Sequence, residues 1–321
     1  MPRHGLAGLP NLAHRRDGTI LDDRPASPYT ARVNRAIDHV MRHLGEPLRL
    51  EAVAAAAGLS PFHFHRIFKA FAGETLNDFV KRHRLERALR LMSHAPRRSL
   101  TNVALDCGFA SSSDFSRCFR QRFGVAPRAF DLSSFRAGRG EALAAVLADS
   151  QPAPSPYTVP AGANPDGFTA TLRDLPARTV AYVRVHDPYR AGAVPAACER
   201  LMAWACARGA ADGPWLGYMW EEPEIVALRH CRYDVAVVVD DAMPSGEVGR
   251  FEFPPMRVAE VNIRGDLALE ARAIDWLYKT WLPASGCLPD DQPMFEAWHG
   301  RPYAHGSAHF ELACLLPVRR G

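Results

Sequence analysis

Apolar and polar positions follow nearly the same order at two places in the chain, about fifty residues apart. Each copy begins with a short apolar run at helical spacing, at residues 50–57 and again at residues 100–107. A glycine follows each run, and a serine then precedes a stretch with aromatic residues every three or four positions. This pattern is typical of a short helix, a tight turn and a second, amphipathic helix. The sequence therefore predicts two helix-turn-helix units in tandem.

Two more helices are predicted around these units. In residues 29–44, apolar side chains recur at helical spacing until Gly45 and Pro47 end the pattern. Residues 76–92 form a longer predicted helix that joins the two units, with apolar residues on one face and several arginines on the other. These elements together predict an all-α domain.

The second half of the chain follows strand patterns and also repeats, at a spacing near 78 residues. The strand pattern at residues 180–185 is echoed at 258–263, and each is followed by a predicted helix. Further strands are predicted at residues 216–220, 233–239, 294–298 and 310–316. The expected fold class is therefore multidomain, an all-α tandem helix-turn-helix domain followed by an α+β domain of two strand-helix-strand-strand repeats. A cavity between the two repeats is a natural place for a ligand.

Changes in composition predict four segments. Residues 1–27 mix proline, glycine and charged residues without a period and are expected to be a flexible tail. The tandem domain is expected over residues 28–136 and the α+β domain over residues 168–321. Between them, residues 137–167 hold a short alanine-rich helical stretch and then several prolines, which predicts a semi-rigid linker.

Charge divides the 321-residue chain in the same way. Residues 28–136 carry 18 basic and 9 acidic side chains, a balance of +9, whereas residues 137–321 carry 17 and 23, a balance of −6. A basic domain attracts phosphate, and an acidic one is repelled by it. The charge pattern therefore favours double-stranded DNA as the partner of the first domain and a different kind of partner for the second.

Cysteine content and the apolar segments of the sequence indicate the cellular compartment that we expect for the protein. Seven cysteines without a C-x-x-C pair indicate reduced thiols rather than a disulfide framework or a zinc site. Neither a signal-peptide pattern nor a membrane-length apolar run is present in the sequence. A cytoplasmic protein with no cofactor, no metal and no membrane contact is expected.

The second helix of each unit carries the candidate DNA contacts. In the first, Phe64 and Phe68 point to the core while Phe62, His65, Arg66 and Lys69 point away. In the second, Phe115 and Phe119 point inward and Asp114 is expected to act as a cap. The outward residues are Ser112, Ser113, Ser116, Arg117 and Arg120. Arginine can bond guanine in bidentate fashion and phenylalanine can contact a thymine methyl group. Lys69 and Arg120 are expected to bind phosphates.

These residues resemble the DNA-binding domain of the AraC family over residues 29–131. The motifs that carry the resemblance are Gly58-Leu59-Ser60, Arg66-x-Phe68-Lys69, Arg84-x-x-x-Ala88, Gly108-Phe109, Phe115-x-Arg117-x-Phe119-Arg120, Gly124 and Pro127. The resemblance implies base contacts from His65 and Ser113, beside Phe62, Arg66, Ser112, Ser116 and Arg117. One departure is Asp131, which stands where the family usually has a basic residue.

Residues 168–319 resemble the GyrI-like effector-binding domain. The signs are the repeated strand-helix-strand-strand pattern, Leu216-Gly217-Tyr218 and Phe295-Glu296-Ala297-Trp298, where Trp298 replaces the usual tyrosine. The resemblance implies a small-molecule pocket with Glu296 as its acid. A carboxylate among aromatic rings attracts a lipophilic cation, and the expected walls are Trp298, Trp220, Tyr218 and Tyr182.

Three functions are compatible with these features. The leading interpretation is a transcriptional regulator, not an enzyme, that binds specific DNA sequences and responds to an amphipathic or cationic small molecule. In a second, the regulator is blind to ligands and its second domain recruits a partner such as RNA polymerase. In a third, the second domain hydrolyses reactive small molecules with Glu296 as general base.

Overall fold

The computed structural model describes residues 29–150, 156–240 and 245–320. The first domain consists of helices α1 (Thr30–Arg42), α2 (Leu50–Ala56), α3 (Pro61–Ala72), α4 (Leu76–His94), α5 (Leu100–Asp106) and α6 (Ser112–Phe123), and a single 3-10 turn at Pro127–Ala129. The predicted tandem units are thereby confirmed as the pairs α2–α3 and α5–α6. The flexible tail predicted at residues 1–27 lies outside the described residues.

Local sequence explains where these helices begin. Ser60 and Ser111 are the N-caps of α3 and α6, and their hydroxyl oxygens accept hydrogen bonds from the backbone amides of His63 and Asp114. Such caps satisfy amide groups that have no partner inside the helix. Helices α3 and α6, the second helices of the two units, therefore start at equivalent positions.

Helix α4 holds the two units together through Arg84. Its guanidinium donates to the carbonyl oxygens of Leu44 (3.0 Å) and Glu46 (2.7 Å), in the loop between α1 and α2. Gly108 lies against the same contact with a φ of +84°, and a Cβ there would lie 2.6 Å from the Leu44 oxygen. Only glycine fits this position, because the backbone conformation and the close approach both exclude a side chain.

A long helix, α7 (Leu132–Ser150), follows the first domain. The sequence predicts a helical stretch here, but within a linker that starts at residue 137, whereas the structure has one continuous helix across the predicted boundary at residue 136. Asp131 precedes it, and its carboxylate accepts from the backbone amide (2.9 Å) and hydroxyl (2.8 Å) of Ser134. The backbone hydrogen bond from Ser134, followed by that from its hydroxyl, lowers the pKa of Asp131. The acidic residue at position 131 thus caps α7.

The second domain is built on one antiparallel sheet of nine strands. The strands are β1 (Thr171–Leu175), β2 (Arg178–His186), β3 (Trp215–Met219), β4 (Arg232–Val238), β5 (Gly249–Phe253), β6 (Met256–Gly265), β7 (Cys287–Pro289), β8 (Met294–Trp298) and β9 (Phe310–Arg320). Helix α8 (Ala193–Cys206) follows β2, and α9 (Leu267–Trp276) follows β6; a π-helical turn at Leu277–Trp281 and the short α10 (Leu282–Ser285) continue α9. The predicted repeats are confirmed as β2-α8-β3-β4 and β6-α9-β8-β9.

The order of the strands joins the two repeats. It runs β1-β6-β9-β8-β3-β4-β2-β5, with β7 beside β9, so β8 and β3 meet at the centre. Strands β1 and β5, which the sequence analysis did not predict, precede β2 and β6 in the chain. Each pairs with the other repeat, β1 with β6 and β5 with β2. This exchange ties the halves into one sheet.

The two faces of the sheet have different coverings. Helices α8 and α9 pack on one face, against Val183 and Val261 among others. The opposite face presents aromatic residues such as Phe251 and Phe253, and the guanidinium of Arg42 on α1 lies 4.3 Å from the Phe251 ring centroid. The first domain therefore contacts the face that carries no helices of the second domain. Across the described ranges, no helix has the length and apolar character that crossing a membrane requires.

Candidate DNA-reading surface and ligand cavity

The outward face of α3 is exposed as predicted. Phe62 has 69% of its surface exposed, which is unusual for so apolar a side chain, and His65, Arg66 and Lys69 are also exposed. Phe64 and Phe68, on the other face, are fully buried and fix the helix to the core. An exposed aromatic ring beside cationic groups suits contact with base edges and phosphates.

Helix α6 presents its predicted residues less uniformly. Ser113, Arg117 and Arg120 are exposed, whereas Ser112 and Ser116 are half-buried. The Arg117 guanidinium lies 2.7 Å from the carboxylate of Asp114, so the arginine that faces outward also has a local partner. Its side chain remains 79% exposed, and an ion pair this open contributes about 1 kcal/mol or less. Arg117 can therefore leave Asp114 for a base or a phosphate at little cost in free energy.

A cavity of about 440 Å³ lies on the helix-bearing face of the sheet. Its walls come from both repeats, from the loop after β3 and from α7. The volume falls within the range typical of small-molecule sites. The predicted site between the repeats thus corresponds to a real cavity that is partly open to solvent, and two of the five predicted residues, Glu296 and Trp298, line it.

Glu296 lies on β8 at the centre of the sheet and is only 4% exposed. The hydroxyl of Tyr233 on β4 donates to its Oε2 atom at 2.9 Å. Gly217 on β3 pairs with Glu296 in the strand register, and a Cβ at position 217 would lie 1.8 Å from the Tyr233 hydroxyl oxygen. Gly217 therefore provides the space in which Tyr233 reaches the carboxylate.

A second buried carboxyl group, that of Glu270 on α9, is hydrogen-bonded to Glu296. Burial, followed by the charge of Glu296, raises the pKa of Glu270 well above its usual range. Burial also raises the pKa of Glu296, while hydrogen bonds from Glu270, Tyr233 and Trp298 oppose that rise. Because two close carboxylates cannot both ionise cheaply, the pair retains a proton near neutral pH. The negative charge then lies on Glu296, which has the larger number of donors.

Several cavity residues were missed by the sequence analysis. They are Glu270 and the aromatic residues Tyr189, Tyr233, Tyr278, Tyr303 and Phe310. The ring of Trp298 lies 5.3 Å from that of Tyr303 and 5.6 Å from that of Phe310, so these rings form one aromatic wall. Strand alternation could have identified Tyr233 and Phe310, but the others lie on loops and helices whose approach to the cavity depends on long-range packing.

Three predicted wall residues, Tyr182, Tyr218 and Trp220, do not line the cavity, and their assignment as walls is corrected. Side chains alternate between the faces of a sheet, and these three point to the face opposite Glu296. Tyr218 stacks on Phe253 with ring centroids 4.2 Å apart. Tyr182 and Trp220 instead donate hydrogen bonds to buried aspartates.

These aspartates belong to a polar cluster between the two domains. The Tyr182 hydroxyl donates to Asp38 of α1 at 2.6 Å, and the Trp220 indole donates to Asp234 of β4 at 2.6 Å. The guanidinium of Arg184 lies between them, 2.8 Å from an Asp38 oxygen and 2.6 Å from an Asp234 oxygen. Arg184 and both aspartates are buried. Buried charges require such pairing, so this cluster fixes α1 to the sheet.

The loop between β3 and β4 makes a second contact between domains. Ile225 and Val226 are buried in the apolar core of the second helix-turn-helix unit. Glu222 in the same loop lies 3.2 Å from His94 at the end of α4, and Glu224 is paired with Arg136 of α7. Glu222 and Glu224 also line the cavity. One loop thus contacts both the cavity and the helical core.

Comparison with known proteins gives matches to both domains. A helix-turn-helix domain model matches residues 53–132, and a GyrI-like small molecule binding domain model matches residues 169–319. The regulatory protein PocR of Salmonella typhimurium is 35% identical over 107 residues, which are 33% of this chain and 35% of PocR. The match therefore spans only about a third of that relative's length.

Two relatives are covered more fully, one for each domain. A DNA gyrase inhibitor of Serratia proteamaculans is 31% identical over 159 residues, which are 48% of this chain and 100% of that protein. The probable transcription factor PqrA of Proteus vulgaris is 34% identical over 85 residues, 26% of this chain and 69% of PqrA. The chain therefore belongs to the AraC-type helix-turn-helix family and carries, behind that domain, a domain of the GyrI-like small-molecule-binding family.

Proposed function

We propose that this protein is a cytoplasmic transcriptional regulator that binds specific sequences in double-stranded DNA and is controlled by a cationic or amphipathic small molecule. The observation that carries the proposal is the presence, in one chain, of two equivalent exposed helices on a basic domain and of a cavity lined by a buried carboxylate. The first feature suits phosphate and base edges, and the second suits a small cation. The occurrence of both features in one chain is explained if ligand binding in the cavity changes DNA binding by the first domain.

On DNA, the outward residues of α3 and α6 contact either bases or phosphates, according to their chemistry. Arg66 and Arg117 bond guanine, and Phe62 contacts a thymine methyl group. His65, Ser112, Ser113 and Ser116 lie close to base edges, and Lys69 and Arg120 bind phosphates that set the register. Two helices on one chain fit successive major grooves, about 34 Å apart.

In the cavity, Glu296 supplies the charge and the aromatic wall supplies a surface for a cation. Cation–π contacts strengthen when water is excluded, and Trp298 is well placed for them beside the carboxylate. Residues of the surrounding walls then discriminate among ligands by shape.

Two other functions are tested by the same experiment. In the hydrolase alternative, Glu296 activates water. In the recruitment alternative, the second domain binds RNA polymerase and the cavity has no ligand. The full chain is incubated with benzyltrimethylammonium and with benzoylcholine, an aromatic cation with an ester that water can cleave, and both the melting temperature and the mass spectrum of the ligand are followed. Stabilisation with unchanged ligands supports a regulator, conversion of benzoylcholine to benzoate and choline supports a hydrolase, and no stabilisation by either cation supports recruitment.

Loss of Arg66 or Arg117 is expected to reduce sequence discrimination. Arg66→Ala and Arg117→Ala each remove a possible bidentate contact, and each should cost about 1–3 kcal/mol at one base pair. Lys69→Ala should instead weaken binding to all sequences alike and reduce its salt dependence. Affinities are measured with the full chain on a selected operator and on random DNA.

Arg264→Ala is the matched control for these arginines, because its side chain is 77% exposed on the second domain. It should change neither affinity. If Arg66→Ala left the ratio of operator to random affinity unchanged, Arg66 would contact phosphate rather than a base.

Removal of the Glu296 charge is expected to weaken cationic ligands selectively. Glu296→Gln keeps the shape of the side chain, and binding of benzyltrimethylammonium should weaken by about 1–3 kcal/mol because the carboxylate is desolvated. Neopentylbenzene, its neutral isostere, should lose far less. Titration calorimetry measures the aqueous cation directly, and competition measures the isostere.

Glu270→Gln serves as the control, because an amide keeps a donor toward Glu296 and removes a carboxyl that is neutral when paired. Cation affinity should be nearly unchanged. Equal losses for the cation and the isostere in Glu296→Gln would mean that Glu296 acts through packing rather than through charge.

A further inference from the structure

One wall of the cavity comes from outside the GyrI-like domain. Helix α7 ends well before residue 169, where the match to that family begins. Its cavity-facing residues follow helical spacing, so they form one continuous stripe. They are Arg136, Gly140, Leu143, Ala144, Val146 and Leu147. Any ligand large enough to fill the cavity would therefore touch the helix that continues directly from the first domain.

The first turns of α7 are also linked to both domains, by an ion pair to the second domain and by a hydrogen bond to the first. The guanidinium of Arg136 donates to Glu224 Oε2 through Nε at 3.0 Å and Nη2 at 2.5 Å, and it also donates to the hydroxyl of Ser93 on α4. Glu224 in turn lies 3.3 Å from the ammonium group of Lys279, which is 2.5 Å from Asp275 on α9. These contacts form a chain from α9 through the loop to α7 and α4.

The four charged residues of this series of contacts also line the cavity; they are Arg136, Glu224, Lys279 and Asp275. Arg136 and Glu224 are both less than 20% exposed, so water screens their pairing only weakly. A ligand that displaced one member would leave another buried charge without its partner, which is costly. The arrangement is therefore sensitive to what occupies the cavity.

We propose that the ligand site is shared between the domains, with α7 as a specificity wall and with the Arg136–Glu224–Lys279 ion pairs, through the hydrogen bond from Arg136 to Ser93, as the connection to α4. This proposal rests on the proposed function, since it names how occupancy reaches the DNA-reading helices. Because α4 joins the two helix-turn-helix units, a shift at Ser93 changes their relative placement. Small residues at positions 140 and 144 leave room for a ligand, and larger ones would exclude it.

The test places a ligand-sized group in the cavity without knowledge of the natural ligand. Cysteine is introduced at Ala144, which faces the cavity, or at Ala145, which is exposed on the next position of the same helix. Cys206, Cys231 and Cys287 are first replaced, since the first is exposed, the second lines the cavity and the third is partly exposed. Both variants are labelled with benzyl methanethiosulfonate in the full chain, and mass spectrometry gives the extent of labelling.

The benzyl group at position 144 should change affinity for a selected operator by about tenfold, within the range of ordinary allosteric coupling. The group at position 145 should change it little, and reduction of the disulfide should reverse the effect. Glu224→Gln should abolish most of the response to the label at position 144 while leaving the labelling itself intact. A purely structural role for Glu224 would not remove the difference between labelled and unlabelled chains.

Equal responses at positions 144 and 145 would overturn the proposal, and so would a cysteine at 144 that resists labelling under conditions that label 145. A full response in Glu224→Gln would overturn the ion-pair connection. Hydrogen exchange of α4 is measured on the same labelled chains and requires no DNA. If the unlabelled chain selected no operator, the proposed function would fail, and a change of α4 exchange on labelling at 144 alone would still support the shared site.

Discussion

Replacing Arg184 by methionine is expected to lower the free energy of unfolding by about 3–5 kcal/mol. The substitution leaves Asp38 and Asp234 buried without the guanidinium that lies between them. The remaining donors, Tyr182 and Trp220, each supply one hydrogen bond and no charge. Urea denaturation of the full chain, monitored at two wavelengths, gives the loss and reveals whether the domains separate before they unfold.

Two variants define the origin of this effect. Arg264→Met removes an exposed arginine from the same domain and should change stability by about 0.5 kcal/mol or less. The triple variant Arg184→Met, Asp38→Asn, Asp234→Asn leaves no buried charge and should recover much of the loss. A loss below about 1 kcal/mol in Arg184→Met would show that the cluster is not a significant link between the domains.

Gly217→Ala is expected to cost about 2–3 kcal/mol of stability and to abolish tight binding of cations. The added methyl group would lie 1.8 Å from the Tyr233 hydroxyl oxygen and 2.5 Å from its ring carbon, so the tyrosine must leave its position. Glu296 then loses its phenolic donor, and the displaced ring occupies part of the cavity. Thermal unfolding and calorimetric titration with benzyltrimethylammonium measure the two effects.

A double-mutant comparison identifies the cause. Gly217→Ala in a Tyr233→Ala background should cost much less than in the natural chain, because the clashing ring is absent. Gly138→Ala is the control, since nothing lies within 4 Å of a Cβ there. It should stabilise the exposed side of α7 by about 0.5–1 kcal/mol. Equal costs in both backgrounds would mean that Gly217 is needed for a reason other than Tyr233.

These predictions concern two contacts with different consequences for regulation. The Arg184 cluster fixes α1 to one face of the sheet, whereas the cavity lies on the other face beside α7. The first domain is therefore attached to the second at two places, by the buried Arg184 cluster at α1 and by the ion pairs of α7 beside the cavity. Under the proposed function, rigid attachment at α1 would direct any movement caused by the ligand toward α4 and the DNA-reading helices.

The sequence by itself predicts every element whose signals are local. Serine caps, turn glycines and aromatic residues at helical spacing specify both helix-turn-helix units, and the exposed faces of α3 and α6 follow from the same periodicity. The repeated strand patterns predict the two halves of the second domain, and the resemblance of Phe295-Glu296-Ala297-Trp298 to the GyrI-like domain implies Glu296 as the acid of the pocket. For the helices and their exposed faces, a residue and its neighbours within about two turns carry the information.

Tertiary structure alone decides which groups meet across long distances in the chain. Alternation shows that Tyr218 and Gly217 point to opposite faces, but only the pairing of β3 with β8 shows that Gly217 shares the face of Glu296. The exchange of β1 and β5 depends likewise on register between distant strands. Arg184 meets Asp38 and Asp234 although neither is near it in sequence, and α7 forms a wall of the cavity because packing places its cavity-facing stripe against the second domain. Such contacts depend on packing of the whole chain, which no local pattern specifies.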